Sequence, residues 1–102
     1  MSKVRLDAVI HPPNRLRICA LLSPLEEAEF QVLREELDVS DSVLSKHLSQ
    51  LEQAGYLSLR KGVVDGRRRT WARLTASGRK AFARHVAALK EITAMASNGK
   101  QS

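Results

Sequence analysis

Residues 33–57 read LREELDVSDSVLSKHLSQLEQAGYL, and this stretch decides the fold. Phe30, Leu33 and Leu37 recur at helical steps, with Arg34, Glu35 and Glu36 pointing away, which predicts a short helix over about 31–37. Asp38-Val39-Ser40 leaves room only for a tight turn. The Ser40 hydroxyl can accept from a free backbone N–H of the next helix, and Asp41 suits the positive end of its dipole. That helix is expected over 41–54, with Val43, Leu44, Leu48, Leu51 and Ala54 apolar. Gly55 can take the left-handed conformation that stops it. Two helices joined by three residues make a helix-turn-helix.

Downstream, the pattern becomes extended. Leu57 and Leu59 alternate with Ser58 and Arg60, and Thr70, Ala72 and Leu74 alternate with Trp71 and Arg73. Between them KGVVDGRRR, residues 61–69, contains an Asp-Gly pair, the signal of a tight hairpin. Thr75 can cap a last helix over about 76–96. Upstream, Pro12 and Pro13 open a helix over 13–22 with Leu16, Ile18, Cys19, Leu21 and Leu22 as its apolar stripe. Ser23-Pro24 ends it, and the acidic stretch Glu26, Glu27, Glu29 reads as a loop. The fold class is mainly α with a two-stranded β wing, a winged helix-turn-helix. One domain is expected over 1–96, including terminal dimerisation segments, and a disordered tail over 97–102.

The 102 residues carry a net charge of +6, unevenly placed. Residues 1–56 hold six Lys/Arg and nine Asp/Glu, a net −3, whereas residues 57–102 hold eleven and two, a net +9. A basic half beside an acidic one suggests a polyanion partner on a defined face. No apolar run approaches the ~18 residues of a membrane span, and MSKVRLDAVIHPP does not read as a secretory signal. The single cysteine, Cys19, allows neither a disulfide within the chain nor a multi-cysteine zinc site. A cytoplasmic protein is expected.

RLRICALL at 15–22, the stretch 33–57, and GRRRTWARLTASGRKAF at 66–82 together resemble winged helix-turn-helix transcriptional regulators of the bacterial and archaeal ArsR/MarR type. The likeness spans roughly residues 6–95 and is nearest the small stand-alone members. Its most telling element is S-x-x-S-K-H-L-x-x-L-x-x-x-G: Ser42, Ser45, Lys46, His47, Leu48, Leu51 and Gly55. The run Arg73 to Arg79 resembles the strand-to-helix junction common to these proteins. The resemblance implies a DNA-binding regulator, a repressor, working as a homodimer and without a cofactor. It implies no catalysis, and the residues agree: no glycine-rich phosphate loop and no nucleophile–base motif stands in the chain.

The expected DNA contacts follow from residue chemistry. Ser42, Ser45, Lys46, Ser49 and Gln50, with Gln53, form the outer face of the third helix. Short hydroxyls let a helix approach the floor of a major groove, where Ser and Gln can bond base edges and Lys46 a phosphate or guanine. Arg67, Arg68 and Arg69 are expected on the backbone or in a minor groove, with Arg60 and Lys61 adding phosphate contacts. Alternation sends Arg68 to the opposite side from its neighbours. The alternative is a winged-helix module that binds protein without reading DNA sequence. Phe82, Val86, Leu89 and Ile92 form a terminal stripe expected at the dimer interface, and the segment with Val4, Leu6, Val9 and Ile10 is a second candidate.

Other residues invite different readings. Metal-sensing relatives carry cysteines before the tight turn, but Glu29 to Leu33 has none, and His85 has only the distant Glu91, so no metal is expected. His47 packs beside Leu44 and Leu48 or touches a phosphate. Cys19 reads as a core residue. Trp71 could pack under the terminal helix, line an effector pocket or stack in the dimer. A small-molecule effector, if one exists, has to sit between helices or at the dimer seam.

Overall fold

The computed structural model describes residues 5–99, and Val4 and residues 100–102 lie outside them. The element order is α1 (Pro13–Leu22), β1 (Ala28–Glu29), α2 (Phe30–Leu37), α3 (Asp41–Gln53), β2 (Leu57–Val64), β3 (Arg67–Leu74) and α4 (Ala76–Gly99). Local chemistry accounts for the boundaries. Pro13 takes the first turn of α1, where its missing N–H costs nothing. Asp38 adopts a left-handed conformation, φ 54°, and turns the chain from α2 into α3. The Ser40 hydroxyl accepts from the Val43 N–H at 3.2 Å, the expected cap. Asp65 and Gly66 both have positive φ, 51° and 75°. This is the pair of left-handed residues that matches the twist of a two-residue hairpin.

One expectation is corrected. The acidic stretch is not all loop: Ala28 and Glu29 form β1, paired antiparallel with β3 in the register Ala28↔Ala72, Glu29↔Trp71. The wing hairpin is therefore part of a three-stranded sheet of order β1-β3-β2. Two residues are too short to show an alternation. They pair because Ala28, buried, meets Ala72 on the core side, while Glu29 reaches Arg69 on the other. α4 also runs on to Gly99, past the expected end at Ala96.

The core draws on every layer. Ile10, Ile18, Cys19, Leu22, Leu33, Leu37, Leu44, Leu48, Leu51, Leu57, Ala72, Leu74 and Ala81 form one cluster. Cys19 lies in it, and burial pushes its thiol up to about 11, with Asp7 adding to the shift. A protonated, inert thiol fits the reading of a core residue.

α4 is seated by its first turn. Thr75 Oγ1 donates to the Gly55 carbonyl at 2.6 Å and accepts from the Gly78 N–H at 2.9 Å, and the Thr75 N–H bonds Tyr56 O. This clip presses the helix onto the α3–β2 connection and fixes how α4 leaves the body. With 24 residues it is about 36 Å long, which accounts for the elongated 63 × 25 × 21 Å shape.

Candidate nucleic-acid interface

α3 is anchored by Leu44, Leu48 and Leu51 in the core. Its outward arc carries Ser42, Lys46, Gln50 and Gln53, all exposed. Ser45 and Ser49 lie on the flank toward the wing, and His47 on the opposite flank. Gln53 Nε2 donates to Ser49 Oγ at 3.3 Å, a weak contact that leaves both groups able to bond a base edge. The five expected contact residues of α3 thus share one surface, open to solvent apart from half-buried Ser49.

The wing divides the arginines. Cross-strand pairs in β2 and β3 are Leu57↔Leu74, Leu59↔Ala72, Lys61↔Thr70 and Val63↔Arg68 on one face. That face begins in the core, passes α3 at Leu59, Lys61 and Thr70, and runs on toward the hairpin tip. Phe30, Ser45, Leu48, Ser49, Glu52, Leu59, Lys61 and Thr70 line a cleft of about 240 Å³ between recognition helix and hairpin. Lys61 and Arg68 are therefore the wing cations on the side of α3.

The other face carries Ser58↔Arg73, Arg60↔Trp71, Gly62↔Arg69 and Val64↔Arg67. There three of the four arginines, all but Arg67, are already engaged. Arg60 lies 4.1 Å over the Trp71 ring and grips Glu27 with two N–H groups, at 2.7 and 3.3 Å. This bond holds the Glu27 carboxyl below the usual carboxylate range. Arg69 Nη1 pairs with Glu29, and Arg73 donates to Ser58 Oγ. Trp71 covers Gly62, where an added Cβ would stand 3.1 Å from its ring. Trp71 thus packs on its own sheet and lies neither under α4 nor in the cleft. The structure brings Lys61 to the α3 cleft, sets Arg68 further out on the same face, leaves Arg67 next to the hairpin tip, and ties Arg69 and Arg60 to β1 and its approach.

Glu29 is a residue that sequence reasoning missed, because its partner is forty positions away. Removing its charge would strand a half-buried guanidinium whose Nε is already buried without a partner. Glu29→Ala is expected to lower stability by about 1–3 kcal/mol in chemical denaturation. Glu27→Ala, at an exposed pair, should fall within the noise of the same measurement.

His47 was missed in part. Its Nδ1 lies 3.2 Å from Arg15 Nη1. A guanidinium only donates, so Nδ1 is the acceptor and neutral His47 carries its proton on Nε2. Partial burial and the charges of Arg15 and Lys46 hold its pKa below 6.5.

Along α4, Ala81, His85 and Ala88 turn into the body. Phe82 packs partly against the core. Val86 and Leu89 are half-buried, whereas Ile92 and Met95 are exposed at 37% and 58%. The apolar stripe therefore grows more exposed as the helix leaves the domain. Among the described residues no helix is long and apolar enough to cross a membrane.

Comparison with known proteins agrees with this geometry. Residues 14–93 match the family model of the winged helix DNA-binding domain. An uncharacterized protein of Methanocaldococcus jannaschii is 37% identical over 79 residues, covering 78% of this chain and 86% of that protein. The structure of a transcriptional regulator homologue from Pyrococcus horikoshii superposes with a TM-score of 0.78 at 29% identity, over 83% of this chain and 84% of the other. The PcaV transcriptional regulator of Streptomyces coelicolor shares the fold, with a TM-score of 0.73 at 19% identity over 86% and 61% of the two chains. With the helix-turn-helix, the wing and these likenesses in place, the chain belongs to the winged helix DNA-binding family, which is not a family of enzymes, and its structural neighbours are transcriptional regulators of MarR/ArsR type.

Proposed function

We propose that the protein is a homodimeric, sequence-specific repressor, built on one domain and acting in the cytoplasm. The observation that carries this reading is the shared surface. Ser45 and Ser49 of α3 and Lys61 of the wing line one cleft, with the polar arc of α3 running on from the two serines and Arg68 on the same wing face as Lys61. Ser42, Ser45, Ser49 and Gln50 read base edges in the major groove, while Lys46, Lys61 and Arg68 neutralise phosphates. Arg67 reaches the flanking backbone from the wing tip. Arg69 serves the surface indirectly, by bracing the wing against β1. Repression follows from occupancy of a promoter.

Two copies join through the outer stripe of α4: Phe82, Val86, Leu89 and Ile92. The exposed Ile92 and Met95 support this reading, since a lone helix end gains nothing from leaving them in water. A two-fold dimer sets two recognition helices about one helical turn apart, ~34–36 Å, on a palindromic site. Leu89→Asp is expected to halve the mass in light scattering and to weaken operator binding roughly 100-fold, through loss of the linked second half-site. An unchanged dimer would place the interface elsewhere.

Selection of bound genomic fragments with the purified protein tests the reading directly. Enrichment of one palindromic motif supports it. Ser45→Ala or Gln50→Ala should change that motif at single positions, at about 1–3 kcal/mol per lost base contact. Retention without sequence preference would favour a module that binds another protein.

A further inference from the structure

Residues 7–11 cross the body beside the first half of α4, and their bonds fix the protonation of two histidines. His85 on α4 is 1% exposed. Its Nδ1 lies 3.0 Å from the backbone N of Asp7, which can only donate. Nδ1 is therefore bare, and neutral His85 carries its proton on Nε2. That Nε2 lies 3.2 Å from His11 Nδ1, with the rings 5.2 Å apart, so His11 Nδ1 is the acceptor. One proton fills the contact between the rings. A second proton on His85 points at the Asp7 N–H, and it does not fit without breaking a bond that holds the segment.

The same segment reaches the recognition helix. The Val9 carbonyl accepts from Arg15 Nε, and the Arg15 guanidinium holds His47 on α3. Asp7 is the hub. Its carboxylate accepts from Tyr56 Oη at 2.6 Å and from the Val9 and Ile10 N–H groups, and Ile10 is fully buried. The titratable groups around the pair are Asp7 and His11 on the segment, Tyr56 and Arg84 beside them, and Cys19 and Arg15 on α1.

We propose that residues 7–11 form an acid-released clasp between α4 and α3, held only while His85 Nδ1 stays bare to accept the Asp7 N–H. Burial and the neighbouring His11 lower the His85 pKa, against the opposing pull of Asp7. The sign follows. The clasp is whole above the ordinary histidine value near 6.5 and weakens as the pH falls below it. Burial raises the Asp7 pKa, but the Tyr56, Val9 and Ile10 bonds and His85 outweigh it, so the net shift is downward from 3.8. The hub thus stays ionised while His85 titrates. Opening should therefore rise between about pH 7.5 and pH 5, by up to about 30-fold, the limit for a closed form that takes no second proton on His85.

Nitrogen NMR of the imidazoles, with amide exchange corrected for intrinsic rates, tests this on the wild-type chain. The expected result is a bare Nδ1 and protonated Nε2 on His85 at neutral pH. On acidification to pH 5, exchange at residues 7–11 should rise severalfold, up to about 30-fold, while Leu44 and Leu51 stay protected. His85→Asn keeps an acceptor for the Asp7 N–H and cannot titrate, so its strap should lose most of that response. Ordinary titration of His85 with the strap still protected overturns the proposal. So does an equal acid response in His85→Asn, or no response down to pH 5. The consequence for DNA rests on the proposed function: affinity should fall further with acid in the wild type than in His85→Asn. Equal affinities beside a strap that opens only in the wild type would overturn the link to α3. A protein that binds no DNA at either pH would instead fail the proposed function and leave the exchange result standing.

Discussion

Gly78→Ala is expected to lower the folding free energy by about 3 kcal/mol, and the melting temperature by more than about 10 °C. A Cβ at Gly78 would stand 2.0 Å from the Tyr56 carbonyl oxygen and 2.8 Å from its carbon. The obstacle is backbone, and that carbonyl is held by the Thr75 N–H, so it cannot move aside cheaply. Relief requires α4 to lift away from the α3–β2 connection. The clip through Thr75 would then lengthen, and the angle at which α4 leaves the domain would change. If dimerisation runs through α4, the variant should also dimerise less well. Calorimetry of the purified variant checks the first effect, and light scattering the second. A melting temperature within about 2 °C of wild type would mean that the α4 junction yields more than its hydrogen bonds imply.

Replacing Lys61 and Arg68 together with Ala should weaken DNA far more than replacing Arg60 and Arg69. All four are wing cations, and composition does not separate them. Register does: Lys61 and Arg68 share the face that opens on α3, while Arg60 and Arg69 are bound to Glu27 and Glu29 on the reverse. If Lys61 and Arg68 each neutralise a phosphate, a dimer loses four contacts. The log–log salt slope should then become shallower by about 3–4. The loss should be nearly equal on all sequences, because phosphate contacts carry no base information. Arg60→Ala/Arg69→Ala should leave the slope within about one unit of wild type and act chiefly on stability. The reverse ranking would mean that the duplex lies against the Trp71 face.

What the sequence revealed follows from the range of each signal. The Ser40 cap, the Asp38 turn, the Asp-Gly hairpin and the Pro13 start are local, and each appears where its residue type requires. The polar arc of α3 was legible for the same reason: a helix has a fixed period. β1 was not, because two residues cannot show alternation and its partner β3 lies more than forty positions on. The separation of Arg68 from Arg67 and Arg69 was visible as alternation. Which side faced α3 needed the register of the whole hairpin. The engagement of Arg60 with Trp71 and Glu27, and of His11 with His85 across seventy-four positions, left no local trace. These are contacts chosen by packing after the elements are set.

Salt titration of the wild-type protein on a selected fragment tests the central claim most directly, because it counts the phosphates neutralised. With three to four contacts per subunit, the dimer should give a log–log slope of about −5 to −7. A slope near zero, with binding indifferent to ionic strength, would contradict a duplex lying across α3 and the Lys61–Arg68 face of the wing.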